Sequence, residues 1–187
     1  MNRQIILVIA LSLISALGGA VLYTSLYSKP QIVSAERNPA MQTDNTRPVS
    51  FNDLVLNDLD GLAHRLSEWQ KPILLVNFWA PWCAPCRREI PDLIELQKIH
   101  ADDLQIIGLS FDSRKNVAEF QQQHEIPYPL LLVNSEATLV NHFFGNNSGA
   151  LPFSVILNQQ REIIYQHHGE ISKAELENQI STLLATQ

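Results

Sequence analysis

Apolar and polar positions along this chain fall into three regimes. The first is one long apolar block, Ile5 to Tyr23, flanked by Arg3 and Lys29 and long enough to cross a bilayer. The second, Ser28 to Pro48, is polar, carries three prolines and has no apolar period, which predicts a tether. The third begins near Val49 and alternates short apolar runs with helically spaced stretches.

Within that third regime Ile73-Leu74-Leu75-Val76-Asn77-Phe78-Trp79 is continuous enough for a strand buried on both faces. Leu93, Ile94, Leu96 and Ile99 then recur at helical spacing, and Leu104 to Ser110 forms a second buried strand. Before them, Val49-Ser50-Phe51 and Leu54-Val55-Leu56 predict a short strand, Asp60-Gly61 a turn and Ala63 to Leu66 a return strand. After them, Asp112 or Ser113 caps a helix running to about His124 with Val117 and Phe120 inward. Ile126-Pro127-Tyr128-Pro129 ends it, Leu130 to Val133 is a strand, and Glu136 to Phe144 is a helix stopped by Gly145. Phe153 to Leu157 and Glu162 to Gln166 make a hairpin about Asn158-Gln159-Gln160, and a helix over Lys173 to Ala185 closes the chain with Leu176, Ile180, Leu183 and Leu184 inward. The alternation predicts an α/β domain with a partly parallel sheet.

The domain organisation expected is therefore a membrane anchor over 1–27, a flexible linker over 28–48 and one folded domain over 49–187. A cleaved signal peptide competes with the anchor, since Gly18-Gly19-Ala20 is a passable cleavage site, but Val21, Leu22 and Leu26 prolong the apolar stretch beyond it. Either way the remainder of the chain is exported. Lys29, Arg37 and Arg47 follow the span while only Arg3 and the α-amino group precede it, so charge counting alone does not orient it. A flexible linker of that length lets the domain range about 25 Å from the membrane.

The candidate chemistry lies in the only two cysteines, in Phe78-Trp79-Ala80-Pro81-Trp82-Cys83-Ala84-Pro85-Cys86, where a strand gives way to a helix. Cys83 is expected at the N-cap, where unpaired N–H groups and the positive end of the helix dipole stabilise a thiolate. Pro85 falls inside the first turn, where a missing N–H costs nothing. Cys86, about one turn further in and more buried, is better suited to resolving a mixed disulfide than to starting one. Arg87 and Arg88 either add positive potential or are simply solvated. A zinc site wants two further ligands, and the six histidines supply none at workable spacing. A purely structural disulfide across so short a loop removes little unfolded-state entropy. Redox chemistry is the expected use of the pair.

These residues resemble a known family. Phe78-Trp79-Ala80-x-Trp82-Cys83-x-Pro85-Cys86, Pro91 five residues on and Leu151-Pro152 opening the penultimate strand look like the thioredoxin fold. The preceding hairpin, Asn77 in the central strand, Glu89 three residues past Cys86 and the added strand-helix segment around 126–144 are similar to the TlpA/ResA/DsbE group. Those are membrane-anchored, extracytoplasmic thiol:disulfide oxidoreductases. The resemblance implies a central mixed sheet flanked by helices, with an N-terminal β-hairpin and an inserted strand-helix segment. It makes Cys83 the attacking thiol, Cys86 the resolving thiol and Pro152 a cis proline facing the disulfide. Trp82 and Leu151 then contact the client, the backbone of Leu151 pairing with a substrate strand. Thioredoxins proper carry an aspartate where this chain has Asn77, and asparagine accepts no proton. Glu89 is the implied proton acceptor for Cys86, and an exposed helix glutamate paired with a neighbouring arginine is the alternative.

The same resemblance implies no cofactor beyond the Cys83–Cys86 couple. It implies a disulfide-bearing client protein and a membrane electron donor of the DsbD/CcdA type. Localisation at a bacterial inner membrane, with the catalytic domain on the periplasmic side, follows from it. A role in cytochrome c maturation is compatible, but the Gly-Val-x-Gly-x-Pro-Glu signature of those reductases is replaced by Asn147-Ser148-Gly149-Ala150-Leu151-Pro152-Phe153. A disulfide-donating oxidoreductase is the opposite direction of the same chemistry. A peroxiredoxin-like peroxidase wants Thr or Ser three residues before its cysteine, and a Sco-like copper chaperone wants Cys-x-x-x-Cys; neither pattern is here. A net charge of −6 with few clustered basic residues argues against nucleic acid as a partner.

Overall fold

The computed structural model describes residues 50–185, which fall within the unit Arg47–Gln187. The expected anchor over 1–27 and linker over 28–48 lie outside the described residues. None of the described helices is long and apolar enough to cross a membrane.

Seven strands form one sheet in the order β2-β1-β5-β4-β3-β6-β7. They are β1 (Val55–Asp58), β2 (Ala63–Arg65), β3 (Ile73–Trp79), β4 (Leu104–Ser110), β5 (Leu130–Leu132), β6 (Phe153–Leu157) and β7 (Ile163–His168). β3 is central and buried along its whole length, parallel to β4 and antiparallel to β6. This is the fully covered strand that a run apolar at every position but Asn77 demands. β4 and β5 are parallel, while β1 runs antiparallel to both β2 and β5, so the sheet is mixed.

The four helices are α1 (Ala84–Ile99), α2 (Arg114–His124), α3 (Ala137–Phe144) and α4 (Lys173–Leu184). Apolar side chains of α1, α2 and α4 pack with Ile73, Leu75, Trp79, Ile106 and Ile156 on one face of the sheet. α3 covers the other face with the segment before β1, against Leu74, Val76, Phe78, Ile107 and Val155. Period-two alternation along β3 thus feeds two cores, one on each face.

Three local expectations change. Phe51–Asp53 is a short 3-10 turn rather than strand, closed by Ser50 N–H and Oγ–H donating to Asp53 Oδ2. In α1 the buried stripe is Cys86, Glu89, Ile90, Leu93 and Leu96, whereas Ile99 is 54% exposed. At 3.6 residues per turn Ile99 sits about 120° around the helix from Leu93, which turns it to solvent. At the C-terminus Leu176 and Ile180 are buried, but Leu183 and Leu184 are only partly covered. Elsewhere the helix boundaries follow their caps: Ser113 Oγ accepts from Asn116 N–H, Ser172 Oγ accepts from Glu175 N–H, and Gly145, at φ +81°, ends α3.

Candidate active site

β3 ends at Trp79, and Ala80-Pro81-Trp82 carries the chain over the end of the sheet to α1. Cys83 is the N-cap of α1, in extended conformation, and its Sγ accepts a hydrogen bond from Cys86 N–H at 3.3 Å. Ala84 and Pro85 occupy the first two helical positions, where proline leaves no bond unmade. Cys83 and Cys86 are joined in a disulfide with Cα atoms 5.3 Å apart. Cys86 is fully enclosed while Cys83 keeps 4% of its surface, and the adjacent Trp82 is 66% exposed. Of the pair, only Cys83 keeps any exposed surface.

The register between β3 and β6 sets Phe78 against Phe153, which brings Pro152 to the same end of the sheet as the disulfide. The Leu151–Pro152 peptide is cis, and Pro152 C=O accepts from Gly169 N–H at 2.9 Å. The loop that delivers these residues is built on Asn146, itself fully buried. Its Nδ2 donates to Asn141 Oδ1 and to Ala150 O, both at 3.0 Å, which ties the end of α3 to the approach to Pro152. Asn147 to Phe153, where the cytochrome-maturation signature is missing, is thus an ordered turn with its own internal bonds.

Glu89 is 1% exposed. The alternative of an exposed glutamate paired with a neighbouring arginine is therefore wrong: Arg88 turns outward instead and grips Glu170. Glu89 accepts from Asn77 Nδ2–H at 2.7 Å on one oxygen and from Ile171 N–H at 3.1 Å on the other. Burial pushes its carboxyl up to about 7, against the downward pull of those two hydrogen bonds, and the like charges of Glu170 and Asp92 add to the rise. The buried Tyr128 phenol is likewise pushed up by burial, with the charge of Glu89 adding to it. A carboxyl half-ionised near neutral pH, one turn beyond Cys86, suits proton exchange with a thiol.

Asn77 sits in β3 on the same sheet face as α1 and spends both amide hydrogens, one on Glu89 and one on Ser154 Oγ at 3.1 Å. Neither Ser154 nor the Ile171 N–H was singled out from sequence. Ser154 carried a signal, since it is the one polar interruption in the apolar run Phe153–Leu157, as Asn77 is in Ile73–Trp79. The Ile171 N–H carried none. Among the described residues no cluster of histidine, cysteine, aspartate or glutamate has the arrangement of a metal site.

A family model described as the AhpC/TSA family matches residues 49–166. The chain belongs to the AhpC/TSA family. Within that family it is similar to the thiol-disulfide oxidoreductase ResA of Geobacillus kaustophilus, 27% identical over 177 residues that cover 94% of this chain and 92% of that one. It is also similar to the thioredoxin-like protein YneN of Bacillus subtilis, 29% identical over 68% of this chain and 75% of that one. Among solved structures, a thiol:disulfide interchange protein of the thioredoxin family from Chlorobium tepidum superposes with a TM-score of 0.63. It is 26% identical, with 75% of this chain and 99% of that one covered. This AhpC/TSA member has the thioredoxin fold and is a thiol:disulfide oxidoreductase of the TlpA/ResA/DsbE-like group.

Proposed function

We propose that the protein reduces disulfides of client proteins on the extracytoplasmic side of a bacterial membrane, cycling Cys83 and Cys86 between dithiol and disulfide. The observation that supports thiol:disulfide exchange, in either direction, is the junction itself; the Cys-Ala-Pro-Cys dipeptide, closer to thioredoxin's than to the histidine-containing one of strong oxidants, favours reduction. Cys83, the less enclosed of the two, sits at a helix N-terminus, bonded to the fully enclosed Cys86, with a neutral-range carboxyl a turn beyond.

In the reduced protein the helix N-terminus favours Cys83 as thiolate. Its sulfur attacks one sulfur of the client disulfide, forming a Cys83–client bond and expelling the other client sulfur as a thiolate, which takes up a proton. Glu89 accepts the proton of the Cys86 thiol. The Cys86 thiolate then attacks Cys83 Sγ, forming the intramolecular disulfide and releasing the second client thiolate. Two electrons have passed to the client, and Glu89 returns its proton as that thiolate leaves. Exposed Trp82 and the Leu151–Pro152 edge hold the client alongside.

No cofactor beyond the disulfide is required by this cycle. A membrane dithiol protein of the DsbD/CcdA type restores the reduced state, and the stretch over 1–27 holds the domain near it. The client class is a disulfide-bearing protein, with apocytochrome c one member of it.

The test is the equilibrium potential of the Cys83–Cys86 couple, titrated in glutathione and dithiothreitol buffers. A value near that of thioredoxin, about −270 mV, supports a reductase. A value near that of DsbA, about −120 mV, overturns the direction and makes the protein a disulfide donor. Turnover of hydrogen peroxide with retention of Cys83 and Cys86 as the reacting pair would replace both with a peroxidase.

A further inference from the structure

The carboxyl of Glu89 is served only by donors. Ile171 N–H meets Oε2 at 3.1 Å and Asn77 Nδ2–H meets Oε1 at 2.7 Å. The other hydrogen of the Asn77 amide goes to Ser154 Oγ at 3.1 Å, across the register that sets Asn77 opposite Ser154. Asn77 Oδ1 is buried with no hydrogen-bond partner.

An unpaired buried acceptor is unfavourable, and a site keeps one only when its alternatives are worse. Turning the amide over is worse. With Glu89 ionised, that would set Oδ1 against a carboxylate oxygen at the 2.7 Å contact. While Glu89 is ionised the amide is thereby held in one orientation, with its second hydrogen on Ser154 Oγ. The backbone N–H of Ile171 cannot accept either. A carboxylate satisfies both partners, whereas a protonated Glu89 has to turn its O–H away from one of them.

We propose that Asn77, bonded in turn to Ser154, is the positioning residue that keeps Glu89 available as the proton acceptor for Cys86. The proposal rests on the role given to Glu89 above and explains why an asparagine fills the strand position. Here the carboxyl is on the helix, and the strand residue is its donor. Other groups face Glu89 as well: Cys86 and Asp92 on α1, Glu170 in the loop after β7 with its partner Arg88, and Tyr128 between α2 and β5. Among them Asp92 and Glu170 oppose ionisation, so the amide of Asn77 and the N–H of Ile171 are what counter burial.

The experiment uses the full-length reduced protein and a synthetic peptide disulfide, measuring the rate at which the mixed disulfide resolves as a function of pH. Wild type, Asn77→Leu, Ser154→Ala, Glu89→Gln and the Asn77→Leu/Glu89→Gln pair are compared. The midpoint of the rate is expected to rise by about one pH unit in Asn77→Leu, a tenfold change in the proton concentration at half-rate. The loss is confined to the low-pH limb. Ser154→Ala moves the midpoint the same way by less. Glu89→Gln removes it, and adding Asn77→Leu then has no further effect on the profile. An unmoved midpoint in Asn77→Leu, or a loss equal at every pH, overturns the proposal while the Glu89→Gln result leaves the reading of Glu89 standing. Should Asn77→Leu fail to fold, an unmoved midpoint in Ser154→Ala overturns it equally. A Glu89→Gln profile identical to wild type overturns the role of Glu89 and the proposal with it.

Discussion

Arg88 on α1 and Glu170 in the loop after β7 are clasped, with Nε 2.9 Å and Nη2 2.5 Å from the same carboxylate oxygen. The residue after Glu170 is Ile171, whose N–H sits on Glu89. The clasp therefore holds the donor loop over the buried carboxyl, and it sets an anion beside that carboxyl with its counter-ion attached.

The sign of the electrostatic effect follows. Glu170 raises the Glu89 carboxyl, so Glu170→Gln should lower its midpoint, while Arg88→Ala leaves the Glu170 charge uncompensated and should raise it. Carbon-13 resonances of the Glu89 carboxyl, followed across pH in the oxidised protein, report both shifts. Displacements of the same sign in the two variants would count against the clasp as an electrostatic neighbour.

Burial of Glu89 also predicts how stability depends on pH. The carboxyl titrates near 4.5 when unfolded and at about 7 when folded. Below 4.5 both states hold the proton and the group contributes nothing. Between the two values the folded state keeps a proton that the unfolded state has released, so stability falls as pH rises and levels off above 7. The size of the fall is about 3 kcal/mol. Urea unfolding of wild type and Glu89→Gln at pH 4.5 and 8 isolates it as the difference between the two proteins. Parallel pH dependences would mean that Glu89 is not the group responsible.

Trp82, with two thirds of its surface free, should matter for client capture rather than for the fold. Trp82→Ala is expected to change stability by less than about 0.5 kcal/mol, as an exposed substitution does. It should raise KM for a protein client about tenfold, the usual loss for an aromatic anchor. Reduction of a small-molecule disulfide should be nearly unaffected. Equal losses on both substrates would show that Trp82 acts on the cysteines instead.

Gly108 in β4 is required for its lack of a side chain. A Cβ there would lie 2.6 Å from Leu130 Cδ2 and 2.9 Å from Trp79 Nε1. Gly108→Ala must push Leu130 or the indole, and overpacking of this kind costs about 1–3 kcal/mol. Denaturant unfolding measures the cost. Because Trp79 packs on Phe120 beneath the active-site loop, tryptophan fluorescence should shift at the same time.

The strand and helix order was legible from the apolar pattern because β3, β4 and β6 are almost wholly buried and carry apolar runs interrupted at only a few polar positions. Burial of Glu89 was written in the same pattern. It lies four residues before Leu93, about 40° around the helix and inside the apolar stripe, but its charge allowed an exposed alternative. Ile99 shows the converse, an apolar residue whose spacing carries it off the stripe. The network around Glu89 was not legible. Ser154 and Ile171 come from 77 and 82 residues away from their partners, and only strand pairing and loop closure bring them there. Asn146 escaped for the same reason, its role depending on a turn with no apolar period.

One rung of the sheet runs His167, Ser154, Asn77, Gly108, Leu130, each from a different strand. Side chains alternate by two along a strand, so a single-residue insertion in β6 would exchange Ser154 for Phe153 or Val155 at this rung and displace Pro152 from its place by one step. Chimeras that graft β6 and its loop from a relative must therefore match length to the residue. The cysteine motif itself can be left intact in such a swap, and the pairing of Asn77 with Ser154 beside Glu89 would still be lost.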